Sequence, residues 1–137
     1  MEINELRIGN WVKENDPIFG VNTYKVATIR DNGIITLNDN MSCLVDNIEP
    51  IELTGDILIN IGFKKGYNEI YSKTIKDDFN ECNVSYQNVS DNKYSFVAYE
   101  YKNGKLKRKM ILDNIQYLHE LQNVFFSFTN QELEIKL

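Results

Sequence analysis

Side chains able to do acid–base or nucleophilic chemistry are few in this chain of 137 residues. His119 is its only histidine, which removes any histidine-based triad and any His-rich metal site. It stands beside Glu120 in a stretch with helical apolar spacing, a setting for packing or capping rather than proton transfer. Cys43 and Cys82 are far apart and lack C-x-x-C spacing, so they read as reduced, half-buried thiols. Carboxylates pair at Asp77-Asp78 and recur at Asp31 and Asp39, all in turn-like polar segments. Two carboxylates divide acid and base roles only when a cleft holds them at a set distance. Gly62 and Gly66 lack the Lys-Ser/Thr and the strand-to-helix setting of a phosphate loop. The expectation is a protein that is not an enzyme, with no catalytic residues, no metal and no cofactor.

Two clusters fit binding instead. Lys102, Lys105, Lys107, Arg108 and Lys109 form a basic run. On a strand, Lys105, Lys107 and Lys109 point to one face. A three-residue turn at Lys102-Asn103-Gly104 sets Tyr101 opposite Lys105 and Tyr99 opposite Lys107. Lysines beside tyrosines can grip a nucleic-acid backbone and stack bases. The plainer account is a solvated face, or an edge strand that lysine protects from stray pairing. The second cluster is Trp11, Phe19 and Tyr24, an aromatic cage or peptide groove for a basic protein partner. Core packing is its plainer account.

The elements that must position these groups follow from pattern. Hydrophobic residues make up 42% and charged residues 26%, the balance of an ordinary globular domain. Eight Tyr and seven Phe favour strands. The net charge of −5 is uneven: residues 1–63 carry four Lys/Arg against ten Asp/Glu, and residues 64–137 carry eleven against ten. Attraction to phosphate must therefore come from the second half. The fold class is α+β: a small SH3-like barrel lobe over 1–63 that ends in a short helix, then an antiparallel sheet over 64–137. One carboxy-terminal amphipathic helix covers that sheet, and a terminal strand follows it.

Asp31-Asn32-Gly33 marks a hairpin, and a three-residue loop sets Ile29 opposite Ile35 and Ala27 opposite Leu37. Thr54 reads as a helix N-cap and Gly62 as the helix end. Ile115, Leu118, Leu121, Gln122, Phe125 and Phe128 recur at helical spacing, with Asp113 and Gln116 as a capping box and Asn130 as the stop. Leu133, Ile135 and Leu137 alternate with charged residues as a strand would. The opening residues carry no basic segment followed by an apolar run, and no apolar stretch is long enough to cross a bilayer. A cytoplasmic location without membrane attachment is expected.

Three blocks carry a resemblance: Glu5-Leu6-Arg7-Ile8-Gly9-Asn10-Trp11-Val12, then Ile48 to Thr54 with Ile61-Gly62-Phe63, and Tyr117 to Asn123 followed by Phe126, Thr129 and Glu132-Leu133. The chain resembles a family of small proteins carried by phages and mobile elements of gut anaerobic bacteria. That family has no assigned activity, so the resemblance implies a fold and a genetic setting without a function. The expected role is a non-enzymatic interaction module that binds another protein, through the barrel lobe or an exposed sheet edge. A nucleic-acid accessory protein using the Lys/Tyr face is the alternative, and a self-paired strand edge would mark a homodimer.

Overall fold

Turns rich in Gly, Asn and Asp cut the first fifty residues into five strands. These are β1 (Trp11–Asp16), β2 (Gly20–Ile29), β3 (Ile34–Leu37), β4 (Met41–Leu44) and β5 (Ile48–Glu49). The computed structural model describes residues 1–16, 18, 20–38, 41–90 and 93–137, side chains at 15, 16, 89, 90 and 93 excepted. The five strands form one antiparallel sheet, ordered β4-β3-β2-β1-β5 and curled into a half-barrel. Leu6, Val12, Val26, Ile35, Leu37 and Ile48 fill its core.

In the β2–β3 turn Gly33 takes φ 82°, and Arg30 N–H donates to the Ile34 carbonyl at 2.9 Å. Ile29 stands opposite Ile35 as the sequence pattern predicts. Ala27 does not face Leu37. A bulge in β2 brings Val26 opposite Leu37, and both are buried. The larger side chain thereby fills the core position.

Beyond residue 52 the pattern repeats with longer strands. Helix α1 (Gly55–Asn60) starts where the Thr54 hydroxyl accepts the Ile57 N–H at 3.2 Å. Strands β6 (Lys64–Lys65), β7 (Ile70–Lys76), β8 (Asn80–Ser90), β9 (Lys93–Lys102) and β10 (Lys105–Asp113) follow. They make a second antiparallel sheet, ordered β10-β9-β8-β7-β6. Cys82, Val84 and Tyr86 on β8 and Phe96 and Ala98 on β9 are buried, which defines the inward face by alternation. Helix α2 (Leu118–Thr129) stops at Asn130, whose φ of 58° is left-handed.

Two expectations at this end need correction. The helix begins at Leu118, because Asp113 ends β10 and Asn114 turns left-handed at φ 64°. Its start is held instead by Glu120, which accepts the Tyr117 N–H at 3.0 Å. The terminal strand does not form: residues 131–137 pair with nothing as a strand, and only Leu133 among them is buried. Alternation says which face a side chain would take, not whether a free edge lies within reach.

Residues 1–52 with 117–123 make one compact unit, and residues 53–116 with 124–137 make another. The division expected after residue 63 falls inside the second, which includes α1.

Candidate interaction face

The β9–β10 connection decides what the basic run can do. Asn103 (φ 52°) and Gly104 (φ 77°) are both left-handed, so the turn is a two-residue one, with Lys105 opposite Lys102. Leu106 then faces Tyr101, and a bulge follows before Arg108 meets Glu100 and Lys109 meets Tyr99. This overturns the three-residue register and the shared lysine face. Lys109 alone of the three lysines lies on the outward side, its ammonium 5.5 Å from the Tyr99 ring. Lys107 reaches Glu100 at 3.7 Å, and Lys105 follows the parity of Lys102. The sequence favoured the longer turn because it sorted apolar residues better; the bulge achieves that sorting by another route.

What remains outward is aromatic and aliphatic. Tyr99 and Tyr101 stack with centroids 6.5 Å apart, and Leu106 and Ile111 beside them are 55% and 54% exposed. Val97 completes the row opposite Ile111. β7 and β8 present Thr74 and Asn83 to the same side, joined by a 2.8 Å hydrogen bond. The face is therefore largely apolar over β9 and β10, with Lys109 and Asp113 as its charges on β10, and polar over β7 and β8.

Near the inward face lies a hollow of about 260 Å³ lined by Cys82, Glu100, Lys102, Lys107, Thr129 and Gln131. In its lining Glu100 forms ion pairs with Lys107 and Arg108. Arg108 donates to it from Nη2 at 2.7 Å and from Nε at 3.3 Å, and these bonds hold the carboxyl below its ordinary range. Arg108 also donates to the Phe128 carbonyl at 2.7 Å and lies 4.7 Å over the Phe128 ring. Burial, and then the Glu100 charge, push the Cys82 thiol up, so it stays protonated. Burial raises Cys43 as well. The hollow thus holds a carboxylate already engaged and a thiol that is not activated.

The aromatic cluster of the first unit is not assembled as expected. Tyr24 pairs with Val12 and packs against the core, whereas Trp11 pairs with Lys25 on the opposite face of the sheet. Phe19 lies outside the described residues. Asp39 does too, and Asp77 caps a turn, accepting the Phe79 and Asn80 N–H groups at 2.9 and 2.6 Å.

Sequence reasoning passed over a buried polar network in the same unit. Gln122, 1% exposed, accepts the Trp11 N–H at 2.8 Å and donates to the Gly9 carbonyl at 3.0 Å. Its side-chain amide thus plays the part of a neighbouring strand. Asn10, fully buried, accepts the Arg7 N–H at 2.7 Å and donates to Asn123 Oδ1 at 2.9 Å. Asn123 in turn donates to the Glu5 carbonyl at 3.0 Å. The one visible signal was a glutamine inside an apolar helical stripe. His119 is buried on the same helix and stacks on Tyr117 with centroids 6.0 Å apart. Burial lowers its pKa, against the opposing pull of Glu120 and Glu5.

Among the described residues no cluster of His, Cys, Asp and Glu is arranged to hold a metal ion, and no helix is long and apolar enough to cross a membrane. No family model, curated protein or solved structure matches the chain.

Proposed function

We propose that the protein is a non-enzymatic interaction module that binds another protein through the outward face of its second sheet. The observation that carries this is the outward row of half-buried Tyr99 and Tyr101 beside exposed Leu106 on β9 and β10. Stacked rings and exposed aliphatic groups beside a polar field are what a partner's apolar patch would bury. A fitting partner offers such a patch with a carboxylate placed to meet Lys109. The resemblance noted from the sequence supports a setting in a phage or mobile element. The engaged Glu100 and the unactivated thiols support a binding role over catalysis.

Placing a photo-crosslinking residue at Leu106 should capture one partner in stoichiometric yield, and the same residue at Thr74 should not. Leu106→Glu should abolish co-purification of that partner. Equal capture from both positions, or none from either, would refute this reading.

A second reading, single-stranded nucleic acid, is favoured by one geometry: Lys109 over Tyr99 next to a second stacked tyrosine. Filter retention of single-stranded DNA and RNA at low salt tests it. The parent chain must retain them and Lys109→Glu must not.

A further inference from the structure

β10 is the one long strand among the described residues with a neighbour on one side only. It pairs with β9, and the opposite edge of the sheet is the two-residue β6. An antiparallel edge presents a row of unpaired N–H and C=O groups, which proteins blunt with lysine, bulges or short length. The first half of β10 is blunted twice over: Lys105 and Lys107 sit there, and the bulge falls between Leu106 and Arg108. Its second half has no bulge, and its single lysine, Lys109, stands at the end next to Arg108. From Lys109 to Asp113 the ladder is regular, and Met110-Ile111-Leu112 places three successive apolar residues on an edge, Ile111 and Leu112 54% and 40% exposed.

That open half reads Lys-Met-Ile-Leu-Asp, a cation and an anion flanking three apolar residues. Such a segment complements itself when turned around. Antiparallel pairing of two copies about a two-fold axis at Ile111 sets Lys109 opposite Asp113 of the second copy, and Asp113 opposite its Lys109. Met110 then meets Leu112 on the inward side, and Ile111 meets Ile111 on the outward side. Moving the axis to Lys109 would oppose like charges and run into the bulge. Moving it to Met110 would set Lys109 against Ile111. Only the register at Ile111 joins every charge to its opposite.

We infer that the Lys109–Asp113 half of β10 is a homodimer edge, pairing two copies into one continuous ten-stranded sheet. Opposite residues of an antiparallel pair share a face, so both Tyr99–Tyr101 rows then lie on one side of that sheet. The inference goes beyond the docking reading and stands whether or not that tyrosine face binds anything.

The test uses the self-complementarity. The parent chain should be a dimer by light scattering coupled to size exclusion, dissociating on dilution. K109D places carboxylates opposite carboxylates and D113K places ammonium groups opposite ammonium groups. Each variant alone should dimerise about thirtyfold more weakly, from two cross-strand pairs reversed in sign. An equimolar mixture of K109D with D113K restores both opposite-charge pairs and should give a heterodimer near the parent's strength. The double swap K109D/D113K should again form a homodimer. Circular dichroism of each variant checks that it folds. A monomeric parent, a dimer indifferent to either single change, or a mixture that stays monomeric would each overturn the proposal.

Discussion

Gln122 shows how one side chain can hold a strand in place. Its carboxamide satisfies one donor and one acceptor of the Gly9–Trp11 backbone, at a site that is 1% exposed. Gln122→Ala leaves both backbone groups without their partner, and should lower stability by about 1–3 kcal/mol. Urea unfolding should show this as a shifted midpoint with an unchanged slope. His119 makes a pH-dependent contribution. Burial lowers its pKa in the folded chain, with Glu120 and Glu5 opposing and the amino-terminal ammonium adding to the shift. Above the ordinary imidazole range, about 6.5, both folded and unfolded chains carry it neutral and stability is full. As pH falls below that value the unfolded chain takes up a proton that the folded chain refuses, so stability drops by at most about 1.4 kcal/mol per pH unit. His119→Phe should flatten the urea midpoint between roughly pH 5.5 and 7.5, a window set by the ordinary histidine value. An unchanged slope in that variant would assign the pH dependence elsewhere.

Among the elements, the β9–β10 hairpin governs the candidate face. Its two-residue turn sets which way Leu106 points, and the bulge after it returns Met110 and Leu112 to the inward side opposite Ala98 and Phe96. A Cβ added at Gly104 would meet nothing within 4 Å, so the penalty there is purely conformational. Gly104→Ala should therefore cost about 1 kcal/mol through its φ of 77°, and thermal unfolding should register the loss. Bulges at β2 and β10 were not legible, because a period-two pattern has no term for an inserted residue. The helix ends were legible where their chemistry is local: Thr54 caps α1, and Asn130 closes α2 in the left-handed region. The start of α2 was not, since Asp113 suits both a strand end and a helix cap and the sheet claimed it.

Across the whole molecule charge weighs against the nucleic-acid reading. The net charge is −5, and two cations of the basic run, Lys107 and Arg108, are engaged with Glu100. That leaves Lys102, Lys105 and Lys109 as the phosphate contacts of the run, and they do not share a face. Any affinity for a single strand should then vary with salt with a log–log slope no steeper than about −2. A slope of about −3.5, as expected if all five cations engage phosphate, would show that Glu100 gives up its partners on binding.

The blocks that gave the chain its resemblance are one another's partners within the fold. Gly9-Asn10-Trp11 bonds to Gln122 and Asn123, the Leu118 N–H donates to the Ile51 carbonyl, and Glu52 bridges Tyr117. Composition and periodicity alone determined the α+β class, most strands, the amphipathic helix and the short supply of reactive side chains, since each rests on local spacing. Tertiary structure alone decided that Trp11 and Tyr24 face apart, that the three lysines diverge, and that the last seven residues form no strand. Those outcomes depend on register and on which edges lie within reach, and hydrogen bonds between residues distant in the chain set both.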